Sequence, residues 1–444
     1  MSKVRLIKAP PWRKYLSKIF ESGRTTPEMF NFIKRVNADY PYWEKFRHLP
    51  IPGNFTKEEA WAYLKFSRLT SSERTPIKTK NGEYFTYSLM SSMYQIISYI
   101  DSYASGLISD VETVSKPKMN QLLISGLSEE AIASSQIEGA NTSRKVAKKM
   151  LLSQRKANNK DEQMIINNYQ VMQRLQEWKD LDLTIEMIID IQKNITHNTL
   201  EDSRDVGRIR DDVDNIAVVD RLTGDIVFNP PNKKFVLEEL KSLVNFANLK
   251  DDKVNFVHPV IKASILHFWL AYLHPFADGN GRTARAIFYW YLLKNNYWLF
   301  QYISVSRIIK KSKKQYDDAF LYSEIDENDF TYFLKYQIKA VQLAIKEFII
   351  HYQKNLLKDK QVIKLSEKLE GLNSRQISLL QDLNIDKDTQ LDITTHKTKY
   401  QIVYETARND LSDLFKKDYL KQIKIKNKFY FVPNTLKIKK LFSN

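Results

Sequence analysis

Two stretches of the chain are apolar on almost every face, and they flank a short polar loop. Val260 to Leu273 contains neither Gly nor Pro and reads as a helix. Thr283 to Leu293 is apolar around nearly its whole circumference, the pattern of a buried helix. Elsewhere the apolar pattern is one-sided. Residues 1 to about 110 read as helices broken at Pro10-Pro11, at Pro41 and across His48 to Gly53, after which Asn54 to Lys57 leads into an amphipathic run with Trp61, Leu64 and Phe66. Met164 to Trp178 and Thr184 to Ile195 repeat apolar residues at helical spacing, with Thr184 placed as a cap. Ser128 suits the start of a helix whose first turn carries Glu129 and Glu130, and Gly139 suits its left-handed ending. Ser134 and Glu138 then lie one turn apart on one face.

The period changes between Asn215 and Phe228. Ile216-Ala217-Val218-Val219 and Ile226-Val227-Phe228 are short β-prone runs around Asp220 to Asp225, whose Gly224 suits a turn. Pro230-Pro231 ends this hairpin, and Phe235 to Leu249 returns to a helical pattern. Past the charged, helical stretch Lys354 to Lys368, a smaller unit begins. It offers a helix over Ser374 to Leu383, a short element at Tyr400 to Ile402, and a helix over Thr406 to Tyr419. Two strands follow, Leu420 to Ile425 and Phe429 to Val432, around a Lys-Asn-Lys turn. The expected fold is mainly α. It comprises an N-terminal helical extension (1–110), a helical core with the β-hairpin at 215–228 (111–350), a linker (351–370) and a small α+β domain (371–444).

Composition narrows the class. A chain of 444 residues accommodates two or three domains, and 43% hydrophobic residues describe a globular protein, not a disordered one. The absence of cysteine excludes disulfides and thiolate metal sites. Met1 to Tyr15 is basic without an apolar core, and no run reaches the ~18 apolar residues of a membrane span, so the expected location is cytoplasmic, with no membrane partner. A formal charge of +17 invites nucleic acid, but the abundance of Lys, Asn, Ile and Tyr is also what AT-biased coding produces. Trp12, Trp43 and Trp61 are assigned to a local core. His258 and His267 are assigned to capping or core positions, because no zinc-type spacing accompanies them.

The chemistry concentrates in the loop between the two apolar helices: His274-Pro275-Phe276-Ala277-Asp278-Gly279-Asn280-Gly281-Arg282-Thr283-Ala284-Arg285. Gly279 and Gly281 permit close backbone approach at a helix N-terminus, where free N–H groups and the helix dipole favour anions. Arg282 and Arg285 add cationic forks for a polyphosphate. Asp278 is a hard oxygen ligand suited to Mg²⁺ shared with phosphates, and His274 can take a proton near neutral pH. These parts together describe transfer of a phosphate-linked group from a nucleotide to a hydroxyl.

The stretch resembles the signature of the Fic family, H-P-F-x-[D/E]-G-N-G-R-x-x-R, with every position filled. That resemblance implies transfer of AMP from ATP, with Mg²⁺, to a Ser, Thr or Tyr hydroxyl of a target protein or of the enzyme itself. By the resemblance His274 would be the base, Phe276 the anchor of the loop and Asp278 the metal ligand. Gly279, Asn280 and Gly281 would form the anion hole, Arg282 would support the phosphates, and Arg285 would bind the γ-phosphate. The intact final arginine differs from the Doc-type kinase branch. Ser134-Ser135-Gln136-Ile137-Glu138-Gly139 is similar to the family's inhibitory motif, [S/T]-x-x-x-E-[G/N]. It implies that Glu138 pairs with Arg285 and obstructs the γ-phosphate.

The hairpin Ile216, Ala217, Val218, Val219, Ile226, Val227 and Phe228 resembles the family's flap, which docks the target chain by strand addition. Asp205 to Arg210 loosely resembles the lead into that flap and is assigned no role. The C-terminal pattern resembles a winged helix-turn-helix, with Arg408, Asn409, Ser412, Lys416 and Lys417 along a recognition helix and Lys426 and Lys428 on the wing, so DNA is a candidate partner of 371–444. Two alternatives stand beside the principal reading: a DNA-binding regulator with a Fic sensor domain, and a Glu138-dependent enzyme that removes AMP. The family often dimerises, which makes a homodimer a further expectation.

Overall fold

Helices form where the one-sided apolar pattern runs unbroken. The computed structural model describes residues 7–21, 26–105, 116–219, 224–250, 256–366, 371–386, 389–425 and 428–442, which are mainly α with three small antiparallel hairpins. The chain opens with α1 (Trp12–Glu21), α2 (Pro27–Asp39), α3 (Trp43–Phe46) and α4 (Lys57–Thr70). Pro27 sits in the first turn of α2, where its missing N–H costs nothing, and Thr26 Oγ1 caps that turn by accepting from the Met29 N–H at 3.2 Å. A reciprocal Thr56–Glu59 capping box starts α4. Trp12, Trp43 and Trp61 are buried together in a local aromatic core, as expected.

The next segment departs from the expected all-helical reading. Residues Glu73–Lys78 (β1) and Tyr84–Tyr87 (β2) form an antiparallel hairpin before α5 (Ser91–Ala104). Gly82, at φ +83, makes the turn. Pro76 lies where the pairing register shifts between Arg74 and Lys78, so its lack of a donor spoils no regular ladder.

Helix α6 (Lys116–Ile137) begins well before Ser128, which corrects the expected start. Ser128, Glu129 and Glu130 are internal and buried. The acidic pair serves partners elsewhere in the fold instead of the helix dipole: Arg144 Nε donates to Glu129 at 2.8 Å, and the Ser306 backbone N–H donates to Glu130 at 3.0 Å. Gly126 lets the helix pass the Tyr302 backbone, because a Cβ there would stand 2.4 Å from the Tyr302 carbonyl oxygen. After α6 come α7 (Arg144–Ser153), α8 (Lys160–Trp178) and α9 (Ile185–Thr196), the last capped by Thr184 as expected. The short strands β3 (Val218–Val219) and β4 (Ile226–Phe228) precede α10 (Lys233–Asn248). Residues 220–223 of the expected turn lie outside the described residues.

Then come α11 (Pro259–Leu273), α12 (Asn280–Lys294), α13 (Val305–Lys311), α14 (Lys313–Ile325) and the long α15 (Thr331–Ser366). As expected, α11 and α12 are buried on nearly all faces. The C-terminal segment holds α16 (Ser374–Ile385), α17 (Ile393–Tyr400), α18 (Tyr404–Lys416), the hairpin β5 (Leu420–Ile425) and β6 (Lys428–Pro433), and α19 (Thr435–Leu441). Where only a short element at Tyr400 to Ile402 was expected, α17 is a capped helix, with Asp392 Oδ1 accepting from the Thr395 N–H at 2.7 Å.

The described residues divide into two compact units. One is drawn from 1–106, 171–298 and 308–342, and the other from 107–170, 299–307 and 343–444. The motif helices α11 and α12 belong to the first unit.

Candidate active site

His258 starts α11 by accepting the Val260 N–H, while its other ring nitrogen meets Asp101 at 3.0 Å. His267 is fully buried and meets the Tyr316 hydroxyl at 3.0 Å. Burial, and then the Arg285 charge, push its pKa well below the ordinary histidine value. Both histidines thus have the capping and core roles expected of them.

His274 ends α11 in the left-handed conformation, φ 48 and ψ 57, with its N–H still bonded to the Leu270 carbonyl at 3.1 Å. A non-glycine residue in this region carries strain that the surroundings must hold. Arg210 supplies much of that hold. Its Nε donates to the His274 carbonyl at 2.7 Å, its Nη2 to the Pro231 carbonyl at 2.5 Å, and its backbone N–H to the Pro275 carbonyl at 2.9 Å. Ile209 also bridges to Phe276 in antiparallel fashion. One buried arginine, through its guanidinium and its backbone N–H, therefore ties the histidine, the loop after it and the exit of the β3–β4 hairpin.

Inside the loop, Phe276 is fully buried and anchors it. The Asn280 side chain clamps the Phe276 backbone at both ends: Oδ1 accepts its N–H at 2.9 Å and Nδ2 donates to its carbonyl at 2.7 Å. Gly279 initiates α12 at φ +86, and a Cβ there would stand 2.8 Å from Thr196 Cγ2. Both the conformation and the close approach therefore call for glycine. Gln192, fully buried on α9, donates to the Asp278 carbonyl at 3.0 Å and accepts the Gly207 N–H at 2.7 Å.

The arginines are buried. Arg282 Nη1 donates to the Ile195 carbonyl and Nη2 to Asp278 Oδ1, each at 3.3 Å, and Arg285 is 3% exposed. The Asp278 side chain is about half exposed. Among the described residues no group of three or more His, Cys, Asp or Glu side chains is placed to hold a metal by itself. One exposed carboxylate beside a helix N-terminus still fits Mg²⁺ that takes its other ligands from nucleotide phosphates and water.

The hairpin expected at 215–228 is present. Val218 pairs with Phe228 and Val219 with Ile226. Ile226, Val227 and Val219 are exposed apolar side chains on two very short strands, and the Phe228 ring lies 5.4 Å from that of Tyr272 in α11. Ile216 and Ala217 precede the paired residues and are half-buried.

Ser134 and Glu138 stand at the end of α6. The Ala140 N–H reaches the Ser135 carbonyl, the Gly139 N–H reaches the Gln136 carbonyl, and Gly139 has φ +104. This is the glycine-terminated ending expected from the sequence. In the C-terminal segment, Arg408, Asn409, Ser412 and Lys416 lie on α18. Lys417 follows it and is held by Asp413 at 2.7 Å and by the Gly371 carbonyl. Lys426 lies outside the described residues, and Lys428 begins β6.

The sequence reading missed Arg210 and Gln192 as site residues. The only available signal was the Gly- and Arg-bearing run Asp205 to Arg210, to which it gave no role.

Residues 182–292 match the Fic/DOC family model. Protein adenylyltransferase fic-1 of Caenorhabditis elegans is 33% identical over 106 residues, 24% of this chain and 18% of that protein. Protein adenylyltransferase Fic of Nematostella vectensis is 29% identical over 109 residues, 24% of this chain and 22% of that one. The chain thus spans about a fifth of the length of these curated relatives. Among solved structures, Fic-1 (residues 134–508) of C. elegans is 20% identical with a TM-score of 0.44, covering 58% of this chain and 71% of that one.

Proposed function

We propose that this chain, which carries a Fic/DOC domain over residues 182–292, is a protein adenylyltransferase that moves AMP from ATP to a hydroxyl of a target protein or of itself. The observation that carries the reading is local. His274 is held in the left-handed conformation at the end of α11, and the loop Pro275–Gly279 connects it directly to the glycine-initiated N-terminus of α12. A proton acceptor and a backbone anion site are thereby joined by one short, clamped loop.

In this reading His274 takes the proton of the attacking hydroxyl. The hydroxyl oxygen bonds to the α-phosphorus, the α–β phosphoanhydride bond breaks, and pyrophosphate leaves. The α12 N-terminus and the buried Arg282 and Arg285 hold the phosphates against the charge that accumulates during transfer. Asp278 would hold Mg²⁺, which when bound neutralises phosphate charge. The exposed edge of the β3–β4 hairpin registers the target chain.

We further infer that the end of α6 restrains the enzyme, with Glu138 pairing with Arg285 as the motif resemblance implies. The glycine-terminated helix end supports this by fixing Ser134 and Glu138 one turn apart. Incubating the chain with target lysate and either α- or γ-labelled ATP tests the reaction type. Label is expected in protein from the α position only. Label that arrives from the γ position and is lost with His274→Ala would make the chain a kinase and refute the proposal.

A further inference from the structure

The second unit contains a cavity of about 290 Å³ that none of the candidate active-site residues lines. Its walls come from α6, α7, α15, α16 and α17, and include Leu122, Ser128, Lys148, Leu152, Gln381 and Lys399. Two polar groups there are poorly served by the fold. Ser128 is 1% exposed, and its Oγ has no hydrogen-bond partner among the described residues, which is an unusual condition for a buried hydroxyl. The Lys148 ammonium has Glu129 at 3.8 Å, but that carboxylate already receives two N–H donors from Arg144. Burial accordingly pushes the Lys148 pKa down.

Lys399, by contrast, is matched by Asp382 at 2.6 Å. The lining thus carries two lysines against one aspartate, an excess of one positive charge with histidine neutral. The rest of the wall is amide, hydroxyl or apolar, with one imidazole, His351. Such a lining asks for one negative group and an apolar body. Ligand pockets ordinarily run from about 300 to 1,000 Å³, so a cavity at the small end of that range suits a single-ring compound.

We propose that this cavity is a binding site for a small organic anion, its phosphate or carboxylate seated on Lys148 and Ser128 and its ring against Leu122 and Leu152. Leu122 and Ser128 lie on α6, the helix that ends at Glu138, so an occupant would hold the element inferred above to restrain transfer. That consequence rests on the inhibition reading, whereas binding itself does not.

The test is isothermal titration calorimetry of the full chain with phenyl phosphate, using benzyl alcohol as the neutral control. Saturable binding is expected for phenyl phosphate alone. Lys148→Gln, which removes a charge-assisted contact, should weaken it about tenfold. Leu152→Trp, which fills the space, should weaken it comparably, while Arg285→Ala should leave it unchanged. Lys148 is partly exposed, so its substitution leaves the fold intact even if the tryptophan variant fails to fold. Absence of saturable heat into the millimolar range would overturn the proposal. So would binding indifferent to Lys148→Gln, or binding lost in Arg285→Ala, which would place the anion on the motif loop.

Discussion

In the proposed reaction His274 and Arg210 form a pair in which one residue would do the chemistry and the other would fix where it happens. His274→Ala should abolish AMP transfer while leaving ATP affinity within about twofold, because the imidazole touches the hydroxyl and not the triphosphate. Arg210→Gln should lower kcat by up to about 100-fold, since a displacement of order 1 Å in a catalytic group costs that much. Its KM for ATP should stay nearly constant, and Arg210→Lys should recover only part of the loss because one ammonium cannot reproduce a guanidinium fork. Steady-state kinetics on the three variants checks both statements. Gly279→Ala places a Cβ 2.8 Å from Thr196 Cγ2 at φ +86 and should cost about 1–3 kcal/mol by denaturant titration.

His267 gives a pH dependence with a definite sign. Its folded pKa lies well below the ordinary value, so the unfolded chain binds more protons and stability falls as pH drops below about 6.5 toward the folded pKa. Above that pH the contribution is fully present. Melting curves from pH 8 downward should show the loss, and His267→Gln should flatten it.

Among the elements, the α11–loop–α12 segment was legible because all its information is contiguous. Two continuous apolar runs give buried helices, and the residues between them specify a turn and, in the proposed function, an anion site and a base. The β1–β2 hairpin was missed because Pro76 and a register shift hide its alternation, although Asn81-Gly82 marks its turn. The start of α6 was misplaced because Ser-Glu-Glu imitates a cap, whereas Glu129 and Glu130 are buried inside the helix and bind partners distant in sequence. Arg210 and Gln192 were illegible for a different reason. Each acts on backbone carbonyls of distant residues, a role with no spacing rule. Gly126 gives an element-scale test. Gly126→Ala would drive a Cβ into the Tyr302 backbone and should destabilise the second unit by about 1–3 kcal/mol, whereas an Ala substitution in an open helix interior would stabilise.

At the scale of the whole molecule, the chain joins a motif-bearing unit to a second unit that holds α6 and the C-terminal segment. The 111–350 core is nearly neutral, and most of the +17 charge lies in 1–110 and 351–444, where part of it is internally matched, as Lys417 with Asp413 and Lys399 with Asp382 illustrate. Composition alone therefore says little about partners, and the proposed chemistry rests on one loop and one helix end. The most direct measurement is intact-mass spectrometry of the purified wild type, Glu138→Gly and Glu138→Gly/His274→Ala chains after incubation with Mg²⁺ and ATP. An AMP-sized adduct is expected on Glu138→Gly, reduced in the wild type and absent from the double variant. An adduct that survives His274→Ala, or one of phosphate size, would contradict the account.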